Sequence, residues 1–329
     1  MTMYKPLSVP KANATLAICL FALLALAGSQ ANASSTYVEP DLQFTSKEEQ
    51  QIIDKSTSEY VLRYAKLSQG AFVSVANVKN TQDGFRRIST EEANFIQSSH
   101  KSTESQSISF PPYINVDSKN NEQLKYIDKH TGLMATVLMP IDEQDNHVVL
   151  AFAGTDTRSS IKGRTERGVI NSSSAYNQIN GQIPDDFKQA EILAQAIKSA
   201  YPEKQLIVTG TSLGGGLAQY AAMLTDSKAY AFNALGLGKG SLEHIIQKRQ
   251  FESLEELNKA AEEKIVNVNL EGEALTYLFG WYMPPQLGDI YTLPFCKGED
   301  DWYEYLTSNR FYLHNIPQVI DNLQCVMDK

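Results

Sequence analysis

Metal-binding spacings are missing from this chain of 329 residues. Its five histidines are scattered, its cysteines number three, and neither H-E-x-x-H nor C-x-x-C occurs. Metal-assisted hydrolysis and zinc-held folding have no carrier here, so no metal and no cofactor are expected. Basic residues are in short supply as well: 29 Lys and Arg stand against 38 Asp and Glu, a net charge of −9. Such a surface is poorly suited to neutralising phosphates, which argues against a nucleic-acid partner. It argues equally against purely electrostatic adhesion to anionic lipid. No internal repeat is visible. Long apolar runs are absent too, except at residues 14–28, a stretch short for a membrane span.

That one run follows Lys5 and Lys11 and precedes Ala31-Asn32-Ala33. The order basic, apolar, A-x-A is that of a secretory signal peptide over residues 1–33, with an N-terminal membrane anchor as the competing reading. No cysteine comes directly after Gly28, so a lipoprotein box is lacking. The expectation is a secreted or periplasmic protein starting near Ser34. Cys19 leaves with the leader, and Cys296 and Cys325 remain as an even pair in an oxidising compartment. A disulfide between them is expected.

After the leader, residues 34–122 read as a helical and looped extension that packs on a core formed by residues 123–329. Residues 34–45 look loose, residues 46–67 show helical spacing from a capping Ser46, residues 72–78 read as a short continuation, and residues 97–109 form a Ser-rich polar loop. From residue 123 the pattern changes. Residues 124–128 and 133–139 read as a β-hairpin, and residues 148–153 as a buried strand. Residues 186–201 carry an amphipathic helix, and short apolar runs follow at 229–233, 265–270 and 290–293. Strands alternating with helices indicate an α/β fold with a mainly parallel sheet covered on both faces.

The most informative residues are Gly210-Thr211-Ser212-Leu213-Gly214. An apolar strand pattern precedes them and a small-residue helix pattern follows. In that setting G-x-S-x-G is a nucleophile elbow: Gly210 and Gly214 make room for a sharp turn, and Ser212 stands on its tip. A serine nucleophile needs a base, an orienting acid and an oxyanion hole. His314 is the histidine that leaves room for an acid between itself and the serine, and it opens an amphipathic segment. His100, His130 and His147 precede the serine, and His244 precedes the acids. Glu271 and Glu273 follow a strand pattern and lie on one side of it by alternation, so spacing does not choose between them. Asp289, at a strand start, is a weaker third. Leu213 supplies one oxyanion N–H. Thr155, after Gly154 at the end of the earlier strand, supplies the other.

These segments carry a resemblance. Phe152-Ala153-Gly154-Thr155, then Val208 to Ala218 around the elbow, then Ala229 to Gly236, then His314 to Ile320 resemble the landmarks of class 3 lipases and their bacterial relatives. The resemblance spans residues 126–323. It implies an α/β-hydrolase fold and hydrolysis of acyl esters in lipids. By position it implies Ser212 as nucleophile, His314 as base, and Thr155 with Leu213 as oxyanion donors. For the acid it favours Glu273, where relatives carry Asp after Gly. The chain departs from the pattern at Thr211, Ala153 and Leu235, where relatives usually have His, Arg and Pro.

The expected function is therefore a secreted or periplasmic lipase or phospholipase, with a lipid or other acyl ester as partner and a transient membrane-surface contact. An acyltransferase on the same triad and a non-catalytic binding protein of this fold are the alternatives. Residues 277–283, the most aromatic stretch, line an acyl pocket in one reading and pack the core in the other. Residues 158–183 suit either a lid over Ser212 or a plain surface loop.

Overall fold

The structure is a computed structural model and describes residues 51–72, 81–100, 108–118, 121–155, 173–279, 283–296 and 310–329. The expected leader at 1–33, the segment 156–172 and the aromatic side chains 277–282 lie outside the described residues.

Apolar runs with little alternation require cover on both sides, and the central strands meet that requirement. The strands are β1 (Gln51–Ile52), β2 (Thr81–Gln82), β3 (Phe85–Arg87), β4 (Tyr113–Ser118), β5 (Asn121–Ile127), β6 (Met134–Pro140), β7 (His147–Phe152), β8 (Gln205–Thr211), β9 (Lys228–Phe232), β10 (Ile265–Leu270) and β11 (Asp289–Leu293). They form one mixed sheet in the order β1-β11-β10-β9-β8-β7-β6-β3-β2, with β5 beside β6 and β4 beside β5. The pairs from β1 to β7 are parallel. The pairs beyond β7 are antiparallel, and the expected hairpin is the β5–β6 pair, Tyr126 facing Ala135.

Strands β7 to β11 lie side by side in chain order. Each crossover steps one place the same way, so right-handed connections put their helices on one face. That face carries α3 (Asp185–Ala200), α4 (Leu213–Thr225), α5 (Lys239–Arg249) and α6 (Leu254–Glu262), with α2 (Thr90–Ser99) packed on α3. The other face is covered from the two sides of the sequence. α1 (Lys55–Gln69) and α9 (Ile316–Asp328) pack on each other and on the sheet. Two-residue alternation sorts the core accordingly: Leu206 and Val208 of β8 join the first face, and Ile207 joins the second. Among the described residues there are also α7 (Ala274–Phe279), the single turn α8 (Arg310–Leu313) and a helical stretch at residues 173–179. A mainly parallel sheet with helices on both faces and an elbow after β8 is the α/β-hydrolase fold.

The first helix departs from the expected 46–67. α1 starts at Lys55, because the Asp54 carboxylate accepts the Thr57 N–H at 2.7 Å and fixes the N-cap there. Just before it the chain joins the sheet, with the Ile53 N–H donating to Thr292 O at 3.1 Å. Residues before 123 thus supply strands as well as a covering, since β1 pairs with β11 and β3 with β6. α2 is not among the expected elements and runs into the expected loop at 97–109. Its capping box, Ser89 with Glu92, is nevertheless written in the sequence.

Cys296 and Cys325 are joined, with Cα atoms 5.9 Å apart, and tie the chain beyond β11 to α9. The bridge closes a loop between positions 29 apart. Reduction, or Cys296→Ser with Cys325→Ser, is expected to lower the unfolding free energy by about 3–4 kcal/mol through lost loop-closure constraint. Urea unfolding midpoints measure this. An unchanged midpoint in the double variant contradicts it.

Candidate active site

Because β7 to β10 run parallel, their C-terminal ends lie along one edge of the sheet. Open parallel sheets collect their functional groups at this edge. Gly154 and Thr155 follow β7, Ser212 follows β8, Asn233 follows β9, and Glu271 to Glu273 follow β10.

Ser212 sits between β8 and α4 at φ 61° and ψ −125°. Its N–H donates to Phe232 O at 3.0 Å, and its carbonyl accepts from Gly215 N at 3.0 Å and Leu235 N at 2.9 Å. The turn is tight enough that a Cβ on Gly210 would strike the Gly214 carbonyl, and one on Gly214 the Phe152 carbonyl. Ser212 remains partly exposed while its neighbours are buried. Leu213 opens α4, so its N–H has no carbonyl to meet within the helix. Thr155 comes next to Gly154, where a Cβ would lie 2.5 Å from Thr211 O and 2.9 Å from Ser212 Cβ. The end of β7 therefore runs directly against the elbow.

The two glutamates part company. β10 ends at Leu270 and Gly272 turns at φ +76°, so strand alternation no longer governs the side chains. Glu271 is exposed, and its Oε2 accepts from Phe295 N at 3.4 Å. Glu273 is fully buried, with Oε2 2.6 Å from His314 Nδ1. The same oxygen accepts Leu275 N at 2.9 Å, and Oε1 accepts Thr276 N at 2.5 Å. Burial opposes ionisation of Glu273, but the His314 hydrogen bond and charge, with the Thr276 N–H, outweigh it and hold the carboxyl below its ordinary value. An ionised carboxylate only accepts, so His314 Nδ1 carries the proton in this pair, and Nε2 is the basic nitrogen of the neutral imidazole. Arg310 of α8 adds a second tie between these loops, donating to Gly272 O at 2.9 Å. Among the described residues no hydrogen bond joins the Ser212 hydroxyl to His314; such contacts commonly tighten on substrate binding.

The other candidates stand apart. Asp289 opens β11 opposite Val266, near the start of β10, at the far end of the strand from Glu273. His147 starts β7 beside Asp145, and His244 of α5 bonds the Tyr220 hydroxyl on the outer helices. Met283 is partly buried against the core, while residues 173–179 are helical.

Two neighbours of the site, Thr211 and Asn233, lie in stretches that stand out in the sequence, but nothing local discloses their partners. Thr211 is buried, and its hydroxyl bonds Ser68 Oγ of α1 at 2.8 Å. The C-terminal end of α1 is closed by buried cations. Lys125 Nζ donates to the carbonyls of Gly70, Ala71 and Phe72 at 2.9 Å, and Arg87 donates to Gly70 O at 3.0 Å. Burial lowers the Arg87 pKa to about 10. Positive charge at a helix C-terminus is favourable, and here it fixes the end that carries Ser68. The second neighbour is Asn233, whose carboxamide reaches the loops on either side of it.

A family model described as "Phospholipase-like: Tle-like phospholipase domain" matches residues 63–284. An extracellular phospholipase A1 of Serratia liquefaciens is 35% identical over 106 residues, 32% of this chain and 29% of that protein. The chain thus aligns with less than a third of that relative's length. Among solved structures, the Lip2 lipase of Yarrowia lipolytica is 13% identical with a TM-score of 0.38, covering 75% of this chain and 81% of that one. A lipase of Rhizopus microsporus var. chinensis is 12% identical with a TM-score of 0.38, covering 74% and 77%. The fold rests on the strand order and the elbow, not on these two likenesses.

The buried carboxylate has a pH signature. A carboxyl whose folded pKa lies below its unfolded value of 4.5 contributes stability that is complete above that value and is lost as pH falls through the folded one. Stability should decline below about pH 4.5. Glu273→Gln should flatten that part of the curve and Glu271→Gln should leave it unchanged. Chemical unfolding between pH 2 and 7, roughly the span over which carboxylates titrate, reads the difference.

Proposed function

The chain belongs to the family of Tle-like phospholipase domains, and on that premise we propose that it is an exported serine hydrolase that cleaves carboxylic esters of phospholipids. Ser212 Oγ attacks the ester carbonyl and passes its proton to His314 Nε2. Glu273 holds the imidazole and faces the positive charge it gains. The Leu213 and Thr155 N–H groups receive the negative charge that develops on the carbonyl oxygen, each contributing on the order of 3 kcal/mol to the barrier reduction. His314 returns the proton to the leaving lysophospholipid. Water, activated by the same imidazole, then releases the fatty acid from Ser212.

The observation that carries this reading is the buried Glu273–His314 pair, 2.6 Å apart, at the strand edge that also presents Ser212. Phospholipid as substrate is supported by the family and by the named activity of the Serratia relative. Export is supported by the leader pattern over residues 1–33 and by the Cys296–Cys325 bridge. With an acidic surface, contact with a membrane is brief and made through apolar groups rather than charge.

A fluorophosphonate probe should label Ser212 alone, and Ser212→Ala and His314→Ala should each abolish turnover of phosphatidylcholine vesicles while the protein stays folded. Glu273→Gln should lower kcat by roughly 10²- to 10⁴-fold, with Glu271→Gln near wild type. Mass spectrometry should find equal amounts of fatty acid and lysophospholipid. Acyl chains appearing on an added alcohol in place of free fatty acid identify a transferase. A folded protein that neither labels nor turns over is a binding protein, and the proposal fails.

A further inference from the structure

Asn233 follows β9 at the strand edge between Ser212 and Glu273, and it is fully buried. Its Oδ1 accepts the Leu270 N–H at 2.8 Å, at the end of β10. Its Nδ2 donates to Leu313 O and to His314 O, each at 3.2 Å. Its own N–H donates to Val268 O at 3.0 Å. One carboxamide therefore uses both kinds of polar group on the backbones of two separate segments. The first is the acid's loop, where Leu270 O in turn accepts the Glu273 N–H at 3.1 Å. The second is the base itself. Two residues further on, Leu235 N closes on the Ser212 carbonyl at 2.9 Å.

We infer that Asn233 is the positioning residue that sets His314 and Glu273 relative to Ser212. This rests on the reading of those three as the reacting set. Few side chains fit the post. It needs donors and an acceptor in one short planar group, which leaves the amide. The backbone stands at φ 43°, a region where Asn and Gly are tolerated and most residues are strained. An aspartate would keep the shape but would set a carboxylate against two carbonyl oxygens. A displacement of the imidazole of about 1 Å is enough to cost roughly 100-fold in rate.

The test uses Asn233→Gly, which keeps the backbone conformation and removes the amide, and Asn233→Asp, which keeps the shape and removes the donors. The first readout needs no activity. In protein labelled with ¹⁵N-histidine, the His314 Nδ1–H bound to Glu273 gives a downfield proton resonance, assigned by its loss in His314→Ala. It is expected to disappear into solvent exchange in both variants. The second readout is kinetic. On phosphatidylcholine vesicles kcat should fall about 10- to 100-fold while KM stays within about twofold, since an altered alignment acts on the chemical step and not on uniform binding. Melting temperature is followed in parallel, and either folded variant suffices. Variants that retain both the resonance and kcat overturn the inference. A wild-type protein that neither labels with fluorophosphonate nor turns over lipid, yet loses the resonance in Asn233→Gly, overturns the functional reading and leaves the positioning role standing.

Discussion

The backbone of Ser212 is held at φ 61° and ψ −125°, a conformation that costs a residue with a side chain about 1–3 kcal/mol. Such a conformation persists only where the surroundings leave no alternative. Here the N–H is taken by Phe232 at the end of β9, and the carbonyl by Gly215 in α4 and Leu235 beyond β9. Relaxing the turn would break bonds in three segments at once. The crowding that requires glycine at 210 and 214 follows from the same constraint, as does the close approach of Gly154. The serine side chain is then the group with nowhere to go but outward, above the free N–H groups that open α4.

Around this fixed point the electrostatics are arranged in a region with little water. A carboxylate as buried as Glu273 is costly unless paired and hydrogen-bonded. It has His314 and two backbone N–H groups, and the balance leaves it ionised. Packing alone does not call for such an arrangement, because an apolar pair of similar volume often serves stability as well or better. On the proposed mechanism the pair is a preset response: the imidazole gains charge as it takes a proton, and the carboxylate is already in place to meet it. Low dielectric strengthens that attraction, so the burial that makes the pair expensive is also what makes it effective.

What the sequence discloses divides along the range of the interactions. The elbow is local: Gly210 and Gly214 lie within a few residues of Ser212, and their requirement is met by the strand, turn and helix that they join. The parallel sheet is local too, written in apolar runs at Val148 to Phe152 and Leu206 to Val208. The choice between Glu271 and Glu273 is not, because it depends on where β10 stops and on the φ +76° turn at Gly272. Alternation would have kept them on one side. The start of α1 turned on a competition between Ser46 and Asp54 as cap, with sheet pairing at Ile53 deciding the region just before the helix. Asn233 and the Ser68–Thr211 contact lay beyond reach for the plainest reason. Their partners are tens to more than a hundred positions away, and an Asn after a strand reads as an ordinary turn residue.

The strand order has a further consequence for the chemistry. Since β7 to β11 advance in one direction, the crossover helices α3 to α6 fall on one face, and the second face would be bare without segments from elsewhere. α1 and α9 fill it, and both bear on the site. α1 carries Ser68 to Thr211, the residue before Ser212, and the Lys125 and Arg87 donors fix its last turn. α9 begins two residues after His314, with Val319 and Leu323 in the core shared with α1. The Cys296–Cys325 bridge then ties α9 to the chain beyond β11, the strand next to β10. The helices that complete the core are thus the same ones that flank His314 and brace the elbow. Any loosening between α1 and α9 moves His314 against a serine that cannot follow it, so in this fold the stability of the second face and the alignment of the site are one property.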